Sequence, residues 1–362
     1  VTSNLASGSG YVDDGVTFLS TSEPFSPVIS TGPTVLIPVS LTWWIFNGDL
    51  LAIRITMLIF FGILLFSIWR LFGNLGGRWA SLAAVGGLAL VPTVAPDLQN
   101  TSLMPGRVVG ELPALALLLL AGVLLSKHRY FWSGLCLGVM LLSKLTFTIP
   151  AAVLIATFFL FEQLNRHIGS WRYLLRILCG VAVPLLTFEL IKAVTLGPKG
   201  YVRHIDALRD FLGNQDIPWQ QLYIFIDEHL EGTLRLFSLP LFAVTVILIA
   251  LSWRWKRLHV ASSPKKRDGC HHATGWVITA LSLGLAIMFL WWFFRSQQYS
   301  ARPALPTVLW LAIASCGIAF SIGTQDRSRS DRFSLALTST LYVLLLTSII
   351  GRTIQIGMDE SG

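Results

Sequence analysis

Charged side chains are scarce in this sequence: Asp, Glu, Lys and Arg together make 13% of 362 residues, where a soluble domain carries about 25%. Water is therefore not the solvent of this chain. Period-two alternation is absent from the apolar runs, which excludes a transmembrane strand barrel. Cysteine occurs four times; Cys136, Cys179 and Cys316 fall in apolar stretches and Cys270 in a basic loop, so no outward-facing pair exists to form a disulfide. The run Cys270-His271-His272 lacks a second ligand cluster at usable spacing and does not read as a metal site. Lys and Arg are missing altogether from the first 49 residues. The chain begins with Val1, and no charged stretch followed by an apolar core marks a signal peptide. An outward N-terminal segment must be delivered by something ahead of it, so a first transmembrane helix is expected to be missing.

What is abundant is apolar surface, 54% of the residues. Stretches approaching the roughly 20 residues that a helix needs to cross a bilayer recur along the chain. They predict an all-α, polytopic transmembrane bundle with about ten spans, at 50–73, 79–96, 111–126, 130–144, 147–162, 173–195, 236–253, 274–294, 303–322 and 333–350. Those at 111–126 and 130–144 are short, and the split at Lys127–Arg129 leaves a re-entrant hairpin open. The organisation that follows is an outward acidic loop with an interfacial helix (1–49), a first bundle (50–195), an outward amphipathic loop (196–235), a second bundle (236–350) and a tail (351–362).

Orientation comes from the basic residues, which are held on the cytoplasmic side of short loops. One set of loops, including Arg70, Arg78, Lys127, Arg129, Arg172, Arg176 and Lys265-Lys266-Arg267, carries sixteen Lys and Arg against four acids. The other set carries ten, with most of the acids. Residues 1–49, 96–110, 196–235, 295–302 and the C-terminus are therefore expected to face away from the cytoplasm. The net charge of +8 is mostly this topological signal, with attraction to membrane lipids as a second use; it does not argue for nucleic acid.

Three outward segments are more polar than a connection requires. The first holds Tyr11-Val-Asp13-Asp14-Gly15 and Ser30-Thr31-Gly32-Pro33, then an apolar stretch, Val35–Phe46, too short to span and ending near Trp43 and Trp44, as an interfacial segment would. The second ends in Arg107-Val-Val-Gly110-Glu111, placing Glu111 at the outer mouth of a helix on a wet face, where its replacement is not expected to alter stability. The third contains Tyr201–Leu212, with Val202, Ile205 and Leu208 at helical spacing and Arg203, Asp206, Arg209 and Asp210 on other faces.

An acidic pair in the first outward loop, a Pro-rich juxtamembrane stretch and a later acid opening a span form an arrangement that resembles the GT-C superfamily of integral-membrane glycosyltransferases. The likeness is to the branch of protein O-mannosyltransferases and lipid A aminoarabinose transferases. Asp13-Asp14 suits the acidic pair that follows the family's first helix, and Glu111 its second acidic position. The stretch Ile29–Pro38 with Asn47-Gly48 and Arg54 is similar to the Pro-rich juxtamembrane helix. Trp132–Lys144 resembles a Gly-rich span ending in Ser-Lys, and Gln298-Tyr299-Ser-Ala-Arg302-Pro303-Ala-Leu-Pro306 an Arg-Tyr-x-x-Pro-x-x-Pro opening of a late span. Gln298 stands where the family has Arg, which leaves the phosphate-binding arginine open.

The resemblance implies transfer of a sugar from a polyprenyl-phosphate donor to a lipid, glycan or protein acceptor, at the non-cytoplasmic face of a membrane such as the bacterial inner membrane. Asp13 or Asp14 would take the acceptor's proton, Glu111 would orient the acceptor or base, and Arg107, Lys144, Arg295, Tyr299 or Arg302 would hold the phosphate. No cofactor is expected; a divalent cation at the acidic site is left open, with nothing in the sequence that indicates one. Each residue has a plainer reading: Asp-Gly favours an ordinary turn, Glu111 gains from the helix dipole, Arg295 follows aromatic residues as an interfacial anchor does, and Lys144 and Arg54 can snorkel. Glu189 and Lys192, three apart on one helix, are expected to pair with each other. The alternatives are a transporter or flippase, against which the absence of a repeat between the two halves speaks, and a noncatalytic relative that assembles with other membrane proteins.

Overall fold

The computed structural model describes residues 2–8, 11, 24–25, 31–94, 110–164, 170–213, 269–295 and 305–323. All regular elements among them are helical: α1 (Thr2–Ala6), α2 (Pro33–Ile45), α3 (Leu50–Val94), α4 (Glu111–Ser126), α5 (Tyr130–Leu141), α6 (Thr148–Leu164), α7 (Ser170–Gly213), α8 (Gly269–Arg295) and α9 (Leu305–Gly323), with a 3₁₀ turn at Leu145–Phe147. Four helical segments among the described residues, Ile53–Leu88, Leu145–Gln163, Trp171–Asp210 and Ala273–Trp292, are long and apolar enough to cross a membrane. Of the ten expected spans, 236–253 and 333–350 lie outside the described residues.

The spans expected at 50–73 and 79–96 are the two arms of α3. They part at Gly76 and Gly77, whose φ of −144° and 75° leave the helix. Gly77, with ψ −167°, occupies a region that is essentially closed to residues carrying a β-carbon. Ser81 Oγ in the second arm donates to the Trp69 carbonyl in the first at 2.9 Å, closing the reversal. At the next turn, α4 ends in a Schellman motif: Arg129 N–H donates to Leu124 O and His128 N–H to Leu125 O, both at 2.9 Å, with His128 at φ 56° in the position that glycine usually takes. At 1.5 Å per residue α4 and α5 are about 24 and 18 Å long, less than the roughly 30 Å of hydrocarbon. They form a short hairpin stitched by Ser133 Oγ to the Ala121 carbonyl at 2.9 Å.

Of the two, α4 is enclosed by the other helices, with fourteen of its sixteen residues buried, while α5 leaves Phe131 and Trp132 exposed. Phe72 of α3 meets Trp310 of α9 at 6.1 Å. Trp310 Nε1 donates to Ser282 Oγ of α8 at 2.9 Å, and Phe161 of α6 packs on Trp276 of α8 at 5.5 Å. Between α5 and α7 the approach is closest: a β-carbon at Gly134 would run into the Ile177 carbonyl. Small residues permit such approach where lipid supplies no hydrophobic drive.

The bundle has two chemically different ends. Arg70, Arg78, Lys127, Arg129, Arg172 and Arg176 lie at one, with Glu162 as its only acid among the described residues. The starts of α2 and α4 lie at the other, where the acids Glu111, Glu189, Asp206 and Asp210 stand among Lys144, Lys192, Lys199, Arg203 and Arg209.

Candidate functional site

The Glu111 end is where the sequence concentrates its candidates. Helix α4 starts with Glu111 directly after Gly110, which makes no side-chain cap. Helix α5 stops at Leu141, and Lys144 follows in extended conformation before the 3₁₀ turn. The two meet: Lys144 Nζ is 3.0 Å from Glu111 Oε1, with side chains only 13% and 5% exposed.

The backbone around this pair is tied from three directions. Ser143 Oγ donates to the Gly110 carbonyl at 3.0 Å, and Gly32 N–H donates to the Ser143 carbonyl at 3.0 Å. Thr34 Oγ1, in the first turn of α2, donates to the Val139 carbonyl at 2.6 Å. Gly32 is required here, because a β-carbon would run into the Leu142 carbonyl. The starts of α2 and α4 and the end of α5 are thus fastened within one residue of the ion pair.

Burial corrects one expectation. Glu111 is 4% exposed, so it does not belong to a wet face. A buried carboxylate stripped of its partner would remain uncompensated, so removing either member of the pair destabilises the protein. Lys144 does not snorkel freely either; Glu111 holds it.

A second cluster occupies the outer part of α7. Glu189 Oε1 accepts from Lys192 Nζ at 2.7 Å, as the spacing predicts, and Glu189 Oε2 accepts from the Tyr201 hydroxyl at 2.9 Å. This second bond crosses the break at Gly197, φ 65°. Lys192 also lies over the Phe188 ring at 4.8 Å. Tyr11 and Phe25 from the first segment stack at 5.4 Å and both meet Phe188 edge-on. Burial pushes the Tyr11 phenol above its ordinary pKa, so it stays protonated and donates to the Thr31 carbonyl at 3.2 Å. The first segment is therefore docked both on α7, through Tyr11, and beside Lys144, through Gly32. Beyond Gly197, Val202 and Ile205 remain exposed while Tyr201, His204 and Leu208 are half-buried, so two of the three expected apolar positions lie open on the surface.

The structure thus joins two of the candidates, Glu111 and Lys144. Asp13, Asp14, Arg107, Tyr299 and Arg302 lie outside the described residues, and Arg295 is placed only as the last residue of α8. Arg54 is exposed in the first arm of α3. Sequence reasoning noted Ser143 and Gly32 as parts of motifs and missed that they bond to each other; only the fold brings positions 32, 110 and 143 together. It also missed the cluster at the opposite end, where Tyr130 OH donates to Glu162 at 3.5 Å and His128 Nδ1 lies 2.9 Å from the same hydroxyl. Among the described residues no three His, Cys, Asp or Glu gather as metal ligands would. Compared with known proteins, the chain matches no family model and no curated sequence.

Proposed function

We propose that this chain is a membrane glycosyltransferase that moves a sugar from a polyprenyl-phosphate carrier to an acceptor at the Glu111 end of the bundle, on the non-cytoplasmic side. The observation that carries the reading is the buried Glu111–Lys144 pair at 3.0 Å. It fixes an ammonium with donors to spare at the point where two helix starts and the docked first segment converge. Such a cation suits a phosphate whose negative charge grows as its bond to the sugar breaks.

In this reading the acceptor hydroxyl attacks the anomeric carbon, the carbon–oxygen bond to phosphate breaks, and its electron pair leaves with the phosphate oxygen. The acceptor's proton passes to Asp13 or Asp14 as general base. Glu111 holds Lys144 in place and orients the acceptor. Arg107, Arg295, Tyr299 and Arg302 are the further phosphate ligands that the family resemblance proposes. A location in a bacterial inner membrane belongs to the same proposal.

Reconstituted protein should transfer sugar from a polyprenyl-phosphate donor to an acceptor. Asp13→Asn or Asp14→Asn should slow turnover by about 10²–10⁴ through loss of the base, with the melting curve unchanged. Glu111→Gln should be milder, and Lys144→Arg should retain partial activity because it keeps the charge. Full activity in both Asp variants removes them from the mechanism. Solute uptake by vesicles with no transfer to any acceptor replaces the enzyme with a transporter.

A further inference from the structure

The opposite end of the bundle carries a cationic patch that this reading does not use. Helices α5 and α7 begin side by side there: Tyr130 stacks on Tyr173 at 4.5 Å, and a β-carbon at Gly180 would run into the Phe131 carbonyl. Lys127 and Arg129, in the turn before α5, therefore stand next to Arg172 and Arg176 at the start of α7. All four are exposed. Among the described residues none of them pairs with a carboxylate, and Glu162 lies buried, turned to His128 and Tyr130.

Aromatic side chains border the patch. Trp132 and Trp171 are 56% and 64% exposed, and Phe131 is 39% exposed. Tryptophan in such positions marks the boundary between head groups and hydrocarbon. Leu175 and Leu178, exposed farther along α7, continue the surface into the apolar layer. Arg172 and Arg176, four residues apart, share one side of the helix. Guanidinium groups bind phosphate oxygens through parallel donors, a geometry that Lys does not offer.

We propose that Arg129, Arg172 and Arg176, with Lys127, form a binding site for the anionic head group of a phospholipid, whose acyl chains lie along Leu175 and Leu178. Charge complementarity selects the head group, and the flanking tryptophans set the depth at which it is met. The site is independent of the glycosyltransferase reading.

The test is native mass spectrometry of the purified protein titrated with phosphatidylglycerol and with phosphatidylcholine. Phosphatidylglycerol should be retained about tenfold more tightly or better, and each arginine neutralised should weaken it roughly fivefold. The double variant R172Q/R176Q should then lose about 25-fold, and R172K/R176K should lose less. The double variant R70Q/R78Q, at the same end of the bundle, should stay within about twofold, since those positions lie outside the patch. Equal retention of both lipids overturns the proposal. So does an equal loss in R70Q/R78Q, which would make the attraction diffuse, or displacement of the lipid by millimolar inorganic phosphate, which would make the ligand a soluble anion. A monodisperse elution profile checks the fold; if R172Q/R176Q fails it, Arg129→Gln in the turn carries the same test with a roughly fivefold loss.

Discussion

Helix α4 is apolar nearly throughout and α7 contains a stretch apolar enough to span, yet they occupy opposite situations. In α4, fourteen of sixteen residues are buried, Glu111 among them. In α7 only 11% of the apolar stretch is buried, against 39–50% in the other three segments long and apolar enough to span. Lipid is as apolar as leucine, so hydrophobicity does not sort a central helix from a peripheral one in a bilayer. Size does more. Ala114, Ala116, Ala121 and Gly122 let neighbours close on α4 from all sides, whereas α7 comes close to α5 mainly where Gly134, Gly138 and Gly180 remove side chains from the crossing. The ion pairs follow the same division. Glu111 is sealed against Lys144, while the side chain of Glu189 is 42% exposed beside Lys192.

The comparison can be broken most forcefully at those pairs. Glu111→Ala should destabilise the protein by about 3–5 kcal/mol, because Lys144 is left buried and uncompensated. Glu189→Ala, at a carboxylate that is 42% exposed, should cost less, about 1–2 kcal/mol, since it gives up the Lys192 pair and the Tyr201 hydrogen bond on a partly solvated side. Thermal melting of both variants in the same detergent measures the gap, and similar shifts would show that the two sites are equally wet.

Core truncation is the next largest contrast. Leu118→Ala in α4, fully buried, should lose about 2–5 kcal/mol through lost packing and a cavity. Leu186→Ala in α7, 66% exposed, should stay within roughly 0.5 kcal/mol. Denaturant unfolding gives both values, and a large loss at Leu186 would mean that α7 is covered by protein.

Overfilling the α5–α7 crossing should have an intermediate effect. Gly134→Val must push Ile177 away, and overpacking of this kind costs about 1–3 kcal/mol. Engineered cysteines at Tyr130 and Tyr173, whose rings stack in the native protein, should cross-link less readily in that variant. Unchanged cross-linking would show that the crossing is looser than its geometry.

The smallest effect belongs to the arm beyond Gly197. Tyr201→Phe removes one hydrogen bond to Glu189 and should cost about 0.5–1.5 kcal/mol, confined to residues 198–213. Hydrogen exchange should quicken there and stay the same in α4; faster exchange in α4 would contradict the separation of the two regions.

Several features were legible in the chain. The Glu189–Lys192 pair follows from helical spacing, because three residues place two side chains on one face. The reversal at Gly76–Gly77 coincides with the gap between two expected spans, because glycine occupies conformations that other residues avoid. Helix α2 was visible as a short apolar stretch after Gly32-Pro33, and its end at Asn47 (φ 50°) uses a residue that tolerates left-handed geometry. The Glu111–Lys144 pair was not legible. Each residue stood out as a charge beside an apolar run, and the spacing of 33 positions contains no rule that joins them. Their distinct expected roles, acceptor orientation and phosphate binding, treated as separate what the fold has coupled.

Composition and local pattern by themselves determined that this chain is helical and apolar, where its helices break, and which of its ends is basic. These are local matters: backbone groups in hydrocarbon must bond within their own helix, and glycine, proline and charge act over a few residues. The tertiary structure alone decided that α4 is central, that α7 is peripheral, and that Glu111 is closed on Lys144 beside Gly32. Those outcomes depend on which surfaces fit together, and in an apolar solvent shape selects among surfaces that hydrophobicity leaves equal.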